Sequence, residues 1–173
     1  MIWFTSDTHF NHKNILEYCA RPYYDVIEMN NQMIEQWNSQ VRPQDTVYLL
    51  GDFTLSHDAV QIASWITKLK GSIKLIPGNH DWWIKEKKVI DYLQAYHKED
   101  WARWEIRPWM DFLKHNKKKI IMSHYPLESW REDIHLHGHT HGKSAPKEGR
   151  LDVGWDNIPH KLISLDEIMA KFT

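Results

Sequence analysis

The stretch Ile73-Lys74-Leu75-Ile76-Pro77-Gly78-Asn79-His80-Asp81 decides the fold. Its first four residues read as a short, largely apolar strand, and Pro77-Gly78 stops it. An amide, an imidazole and a carboxylate then follow in succession. The same form recurs four times. Ile2–Thr5 runs into Asp7-Thr8-His9, and Thr46–Leu50 into Gly51-Asp52. Ile120–Met122 runs into Ser123-His124, and Ile134–Leu136 into Gly138-His139-Thr140-His141. In open α/β sheets the ligand crevice lies outside the carboxyl ends of the strands, so these polar ends are expected to converge on one site.

Amphipathic stretches separate the strands. Asn30–Val41 carries Met33, Ile34, Trp37 and Val41 at helical spacing. Ser56–Lys70 places Ile62, Ala63, Ile66 and Leu69 on one face, with Gly71 as its stop. Lys85–Ala95 is a further helix. Leu151–Trp155 and Leu162–Ser164 read as late strands, and Leu165–Phe172 as a closing helix. This alternation predicts an α/β or layered fold. With no repeat, low-complexity segment or interior linker, residues 1–173 read as a single domain.

Composition removes several classes of function. Of 173 residues, 42% are hydrophobic and 26% charged, which fits a globular chain and not a disordered one. The formal charge of −1 provides no general polycation to grip duplex nucleic acid. The single Cys19 excludes an intrachain disulfide and a cysteine-based zinc module. No apolar run approaches the roughly 20 residues that span a bilayer, and the start lacks the pattern of a signal peptide. A soluble, cytoplasmic protein is expected, its oligomeric state left open.

The strand ends carry metal-binding chemistry. Asp7 and His9 alternate across one residue, as do His139 and His141, so on an extended backbone each pair shares a face and can grip an ion. Asp7, Asp52, Asn79, His9, His124, His139 and His141 are seven potential ligands, more than one tetrahedral site uses. Mixed oxygen and imidazole donors suit a first-row divalent metal. Two ions sharing a bridging carboxylate use the set economically, as in hydrolytic centres that clamp an in-line displacement.

The ordered series D-x-H, G-D, G-N-H-D, H, G-H-x-H resembles the calcineurin-like metallophosphoesterases, over Asp7 to His141. The Leu151–Ile168 stretch, with Asp-Val-Gly-Trp-Asp, resembles small bacterial and phage members more loosely. The resemblance implies a four-layer α/β/β/α sandwich with two divalent ions, manganese first, with nickel, iron or zinc as alternatives. It implies that Asp7, His9 and His141 hold one ion, that Asn79, His124 and His139 hold the other, and that Asp52 bridges them. It further implies in-line attack on phosphorus by a metal-bridging hydroxide. His80 would sit over the leaving group as an acid and Asp81 would orient it.

The expected substrate is a small phosphodiester, such as a small nucleotide or a cyclic phosphate. A phosphomonoesterase and a catalytically weak, metal-binding interaction scaffold are the alternatives. Phe53-Thr54-Leu55 stands where many members carry a further acid. The protein phosphatase forms G-D-x-V-D-R-G and G-N-H-E are absent. No Arg lies in the five blocks, which argues against the bidentate grip that a monoester dianion favours.

The remaining conspicuous residues have plainer readings. His57-Asp58 reads as a helix cap, and His97, His115 and His160 as surface residues. His12 and Asn14 suit a loop or helix start as well as a pocket. Trp82-Trp83 reads as a buried anchor. The Trp101–Trp109 stretch reads as core or surface, with a stacking and phosphate-binding platform as the alternative.

Overall fold

The structure, a computed structural model, describes residues 1–172; Thr173, the last residue of the expected domain, lies outside them. In chain order the elements are β1 (Ile2–Thr5), α1 (Ile15–Tyr18), α2 (Val26–Gln40), β2 (Thr46–Leu49), α3 (Ala59–Ile66) and β3 (Ser72–Leu75). A 3₁₀ turn (Trp82–Lys85) leads to α4 (Lys87–Tyr96), α5 (Lys98–Trp101), β4 (Trp104–Ile106) and β5 (Met110–His115). The chain closes with β6 (Lys118–Ser123), β7 (Ile134–His137), β8 (Arg150–Asp152), β9 (Ile163–Ser164) and α6 (Leu165–Lys171).

The strands form two sheets. The first has the order β4-β3-β2-β1-β9 and the second β5-β6-β7-β8. The two β9–β1 and β5–β6 pairings are antiparallel and all the others parallel. Side-chain alternation separates two apolar clusters. Phe4, Tyr48, Ile120, Met122, Ile134 and Leu136 turn inward between the sheets. Val47, Leu49, Ile73 and Leu75 face the other way, against Met29, Met33 and Trp37 of α2 and Ile62 and Ile66 of α3. Burial of one such side chain contributes about 1.5–3 kcal/mol, so these clusters fix the register of the strands. α6 is started by a Ser164–Glu167 capping box and adds Leu165 and Ile168 to the inter-sheet cluster. The expected mixed α/β architecture, two sheets flanked by helices, is present.

The elements differ from expectation where local polar groups decide. α2 starts at Val26 because Asp25 accepts from Ile27 N at 2.9 Å and Glu28 N at 2.8 Å. α3 starts after Asp58, which caps it as expected, and ends at Ile66. β4 and β5 were not expected. On β5 the usual pattern is inverted, with Asp111 buried against Arg107 while Met110 and Phe112 face solvent.

Loop bonds tie neighbouring strands of each sheet at their carboxyl ends, and the last of them crosses between the sheets. Asp7 N donates to Gly51 O at 3.0 Å, His9 N to Asp52 O at 3.0 Å, and Gly138 N to His124 O at 3.0 Å. Trp155 N donates to Ser6 O at 2.9 Å. Among the described residues no helix is long and apolar enough to cross a membrane.

Candidate metal centre

The convergence at the strand ends depends on unusual backbone. Asp7 (φ 56), His9 (φ 52), Asp52 (φ 56), His139 (φ 69) and His141 (φ 48) all lie in the left-handed region. Each such residue costs on the order of 1–3 kcal/mol, tolerated where the surroundings over-determine it. This corrects one expectation. Asp7 and His9 do meet, as do their histidine partners, but successive left-handed turns aim them, not alternation along an extended strand. Glycines allow the loops to close up. A Cβ on Gly51 (φ +88) would stand 2.6 Å from Gly78 Cα and from His124 Nδ1. On Gly138 it would stand 1.7 Å from Ser6 Oγ.

Of three donor groups among the described residues, Cys19, His141 and Asp156 form one that shares His141, and the other two lie at the strand ends. Asp7, His9 and His141 form one and Asp52, His124 and His139 the other, the potential ligand atoms of each lying within 4.8 Å of one another. Asp52 Oδ2 stands between them, 3.6 Å from His9 Nε2 and 3.4 Å from His124 Nε2. Asn79 Oδ1 is 3.0 Å from His124 Nε2.

Whether a cation fits is decided by atoms without partners. Asp7 Oδ1 and both ring nitrogens of His9 are buried without a hydrogen bond. A buried unsatisfied polar group costs about 1–3 kcal/mol. His9 Nε2 and Asp7 Oδ1 are 3.8 Å apart, too far for a hydrogen bond. Two ligands at about 2.0–2.2 Å from a shared ion can lie up to roughly 4.2 Å apart. The donor set therefore fits a divalent cation, which would satisfy Asp7 Oδ1 and His9 Nε2 together.

Neighbouring groups fix the ligands. His124 Nδ1 bonds Leu50 O at 2.8 Å, leaving Nε2 toward Asp52. His141 Nδ1 meets Asp156 Oδ2 at 2.7 Å. Asp156 is held in turn by Arg21, through Nε at 2.8 Å and Nη2 at 2.9 Å. Arg21 also donates to Asp7 O at 2.7 Å and Thr8 O at 2.8 Å, beneath the first block. Asp152 accepts from Thr140 Oγ1 at 2.7 Å and Gly142 N at 2.9 Å, holding the His139–His141 turn. Such partners orient ligands and raise their basicity. Sequence reading missed Arg21, Asp152 and Asp156 as supports. The two aspartates bracket the Asp-Val-Gly-Trp-Asp stretch, which was the available signal.

Asp81 requires a correction. It does not orient the His80 ring. Its carboxylate is occupied by Asp52 N and Gly78 N, each at 2.8 Å, Phe53 N at 2.9 Å and the Trp83 indole at 3.2 Å. Four donors saturate it, so Asp81 braces the Gly51-Asp52 loop against the Gly78-Asn79 loop. His80 is bound through its backbone, N to Asp52 Oδ1 at 2.9 Å. Its half-buried ring stands edge-on to His9 at 5.6 Å between centroids. Among the described residues no hydrogen bond reaches that ring.

The charges are strongly coupled. Burial pushes the Asp7 carboxyl up to about 6, against the pull of His124 and His141. Burial also raises Asp52, but its hydrogen bond to His124 and the charges of His124 and His9 outweigh it and hold Asp52 at about 2. His124 is depressed by burial yet lifted to about 9 by Asp52 and Asp7. Burial holds His9 well below its usual range, in the neutral form that binds metals.

His12 turns toward the cluster, its ring 5.3 Å from His9 and its Nδ1 buried without a partner. Asn14 is exposed ahead of α1. Trp83 is the expected buried anchor, whereas Trp82 is 57% exposed. His97, His115 and His160 are half-buried and not on the open surface, His160 lying 5.7 Å from the Tyr23 ring.

Comparison with known proteins agrees with this geometry. The family signature of the calcineurin-like phosphoesterase superfamily domain matches residues 1–154. An uncharacterized protein of Methanocaldococcus jannaschii is 34% identical, covering 97% of this chain and 89% of its own length. The gene 66 protein of Mycobacterium phage L5 is 32% identical, covering 96% and 91%. A structure of a protein of unknown function from Aquifex aeolicus superposes with a TM-score of 0.71 at 24% identity, covering 99% of this chain and 98% of that one. That last likeness concerns the fold alone. The chain belongs to the calcineurin-like phosphoesterase superfamily and is, by that family, a metal-dependent phosphoesterase.

Proposed function

We propose that this calcineurin-like phosphoesterase hydrolyses a small phosphodiester at a dinuclear metal centre, with residues 1–173 working as one catalytic domain. In this reading Asp7, His9 and His141 hold one divalent ion, Asn79, His124 and His139 the other, and Asp52 bridges them. Manganese is the first candidate, with nickel, iron and zinc after it. The observation that carries the reading is the place of Asp52 Oδ2, within 3.6 Å of His9 Nε2 and 3.4 Å of His124 Nε2. Ions held there would supply Lewis-acid stabilisation of phosphoryl charge and would acidify a water.

The chain's own groups supply the rest. His9 and His124 present nitrogen ligands from buried rings, and Asp156 and Leu50 O fix the tautomers of His141 and His124. A ring N–H of His80 hands a proton to the departing ester oxygen, with Asp52 Oδ1 holding its backbone. Asp81 keeps the two loops in register from below.

The diester preference rests on Arg21. It is the arginine tied to the metal-binding loops, and its guanidinium is consumed by Asp156 and the carbonyls of Asp7 and Thr8. It therefore offers no free fork for a phosphate dianion. Against the scaffold alternative, which would also bind metal, stands the His80 ring beside the donor cluster, to which no hydrogen bond is made among the described residues. The test compares methyl p-nitrophenyl phosphate with p-nitrophenyl phosphate, which share a leaving group, with manganese or nickel present. The diester should have the higher kcat/KM. A tenfold monoester preference would refute the assignment.

A further inference from the structure

The loop that carries Asn79 and His80 also builds a cleft that metal chemistry does not use. Trp82 and Trp109 leave 57% and 55% of their surfaces exposed, and neither joins an apolar cluster. Lys85 Nζ lies 4.6 Å from the Trp82 ring centroid and 5.7 Å from that of Trp109. The two indoles thus wall a cleft in which one slender cationic chain rests. Pro77, Gly78 and Asn79 line the same cleft, so it opens onto the loop of the candidate ligand Asn79. Its walls are anchored. Trp82 N donates to His80 O at 2.9 Å. Trp109 follows Arg107, which Asp111 holds at 2.7 and 3.1 Å.

We propose that Trp82 and Trp109 clamp the planar base of a nucleotide ester whose phosphate lies at the neighbouring donor cluster. This rests on the phosphodiesterase reading above and names its substrate class. Two indole faces suit a flat heteroaromatic ring, and every base offers one. Lys85 is exposed and, among the described residues, forms no ion pair, so it can swing aside toward an anionic group of the ligand. Its charge opposes a quaternary ammonium, the other ligand that an aromatic cage attracts.

The test is calorimetric binding of adenosine 5′-monophosphate against ribose 5-phosphate, using the manganese-loaded protein. The nucleotide should bind about 5- to 150-fold more tightly, the value of stacking one base. In Trp82→Leu and Trp109→Leu that ratio should fall toward one, while Trp82→Phe should keep most of it. A wild-type ratio within twofold would overturn the clamp. So would a ratio unchanged in both leucine variants, the absence of nucleotide binding at millimolar concentration, or tighter binding of phosphocholine than of the nucleotide. The methyl p-nitrophenyl phosphate assay is read separately. A retained ratio without diester hydrolysis would refute the phosphodiesterase reading and leave the clamp standing, and hydrolysis without a ratio would do the reverse.

Discussion

Replacing Arg21 by Met should destabilise the fold and weaken metal binding together. The Arg21 side chain has no exposed surface, and Asp156 is 6% exposed. Removing one partner of a buried ion pair costs about 3–5 kcal/mol, because the other charge stays buried. The carbonyls of Asp7 and Thr8 also lose donors, at about 1–3 kcal/mol each. Methionine recovers part of this by filling the space of the arginine stem, and the separate losses do not add fully. We expect a loss of about 3–5 kcal/mol, a large share of the roughly 5–15 kcal/mol of a typical domain. At this chain length that lowers Tm by about 6–20 °C. Asp156 loses the arginine that holds it against His141 Nδ1, so manganese affinity should fall about 10- to 100-fold. Urea unfolding with a manganese titration reads both effects. Arg21→Met/Asp156→Asn should recover at least about 1.5 kcal/mol relative to the sum of the single variants, since no lone charge remains. A loss below about 1 kcal/mol in Arg21→Met with intact metal affinity would refute the supporting role. If activity alone fell, Arg21 would be a substrate contact.

Two further outcomes follow from individual side chains. His80→Ala should keep its metal content and lose about 10²–10⁴ in turnover, less for p-nitrophenolate, which leaves unprotonated; loss of metal would make His80 a ligand instead. Burial and the neighbouring His137 depress His135 to about 3. Its folded pKa lies below its unfolded one, so the unfolded state binds more protons between about pH 6.5 and 3, and stability drops as the pH is lowered through that window. From pH 7.5 to 5 this costs about 2 kcal/mol, which His135→Gln should remove in urea titrations. An unchanged slope in the variant would disprove the assignment.

The sequence disclosed the strands that are short apolar runs ending in polar residues, such as Ile120–Met122 and Ile134–Leu136, because the fold buries them on both faces. It hid β5, where Phe112 faces solvent and a buried Asp111 is neutralised by Arg107, a pairing that no hydropathy pattern encodes. That the seven candidate ligands gather at one end of the strands was legible, because only the polar residues at the strand ends had to be read. How they meet was not legible. The turns at Asp7, His9 and Asp52 are left-handed without glycine, held by bonds from residues distant in sequence. Asp81 shows the same limit. Its adjacency to His80 suggested a partnership, and the fold turns its carboxylate to four other donors. Arg21 reaches Asp156 across 135 residues, which spacing in the chain does not reveal.

The count of metal ions bound per chain tests the central claim most directly. Elemental analysis of the manganese-saturated protein should give two ions per chain, and Asp52→Ala one or none, because Asp52 is the carboxylate standing between the two donor groups. Saturation of the wild type at a single ion, or two tightly held ions in Asp52→Ala, would contradict the bridged dinuclear centre.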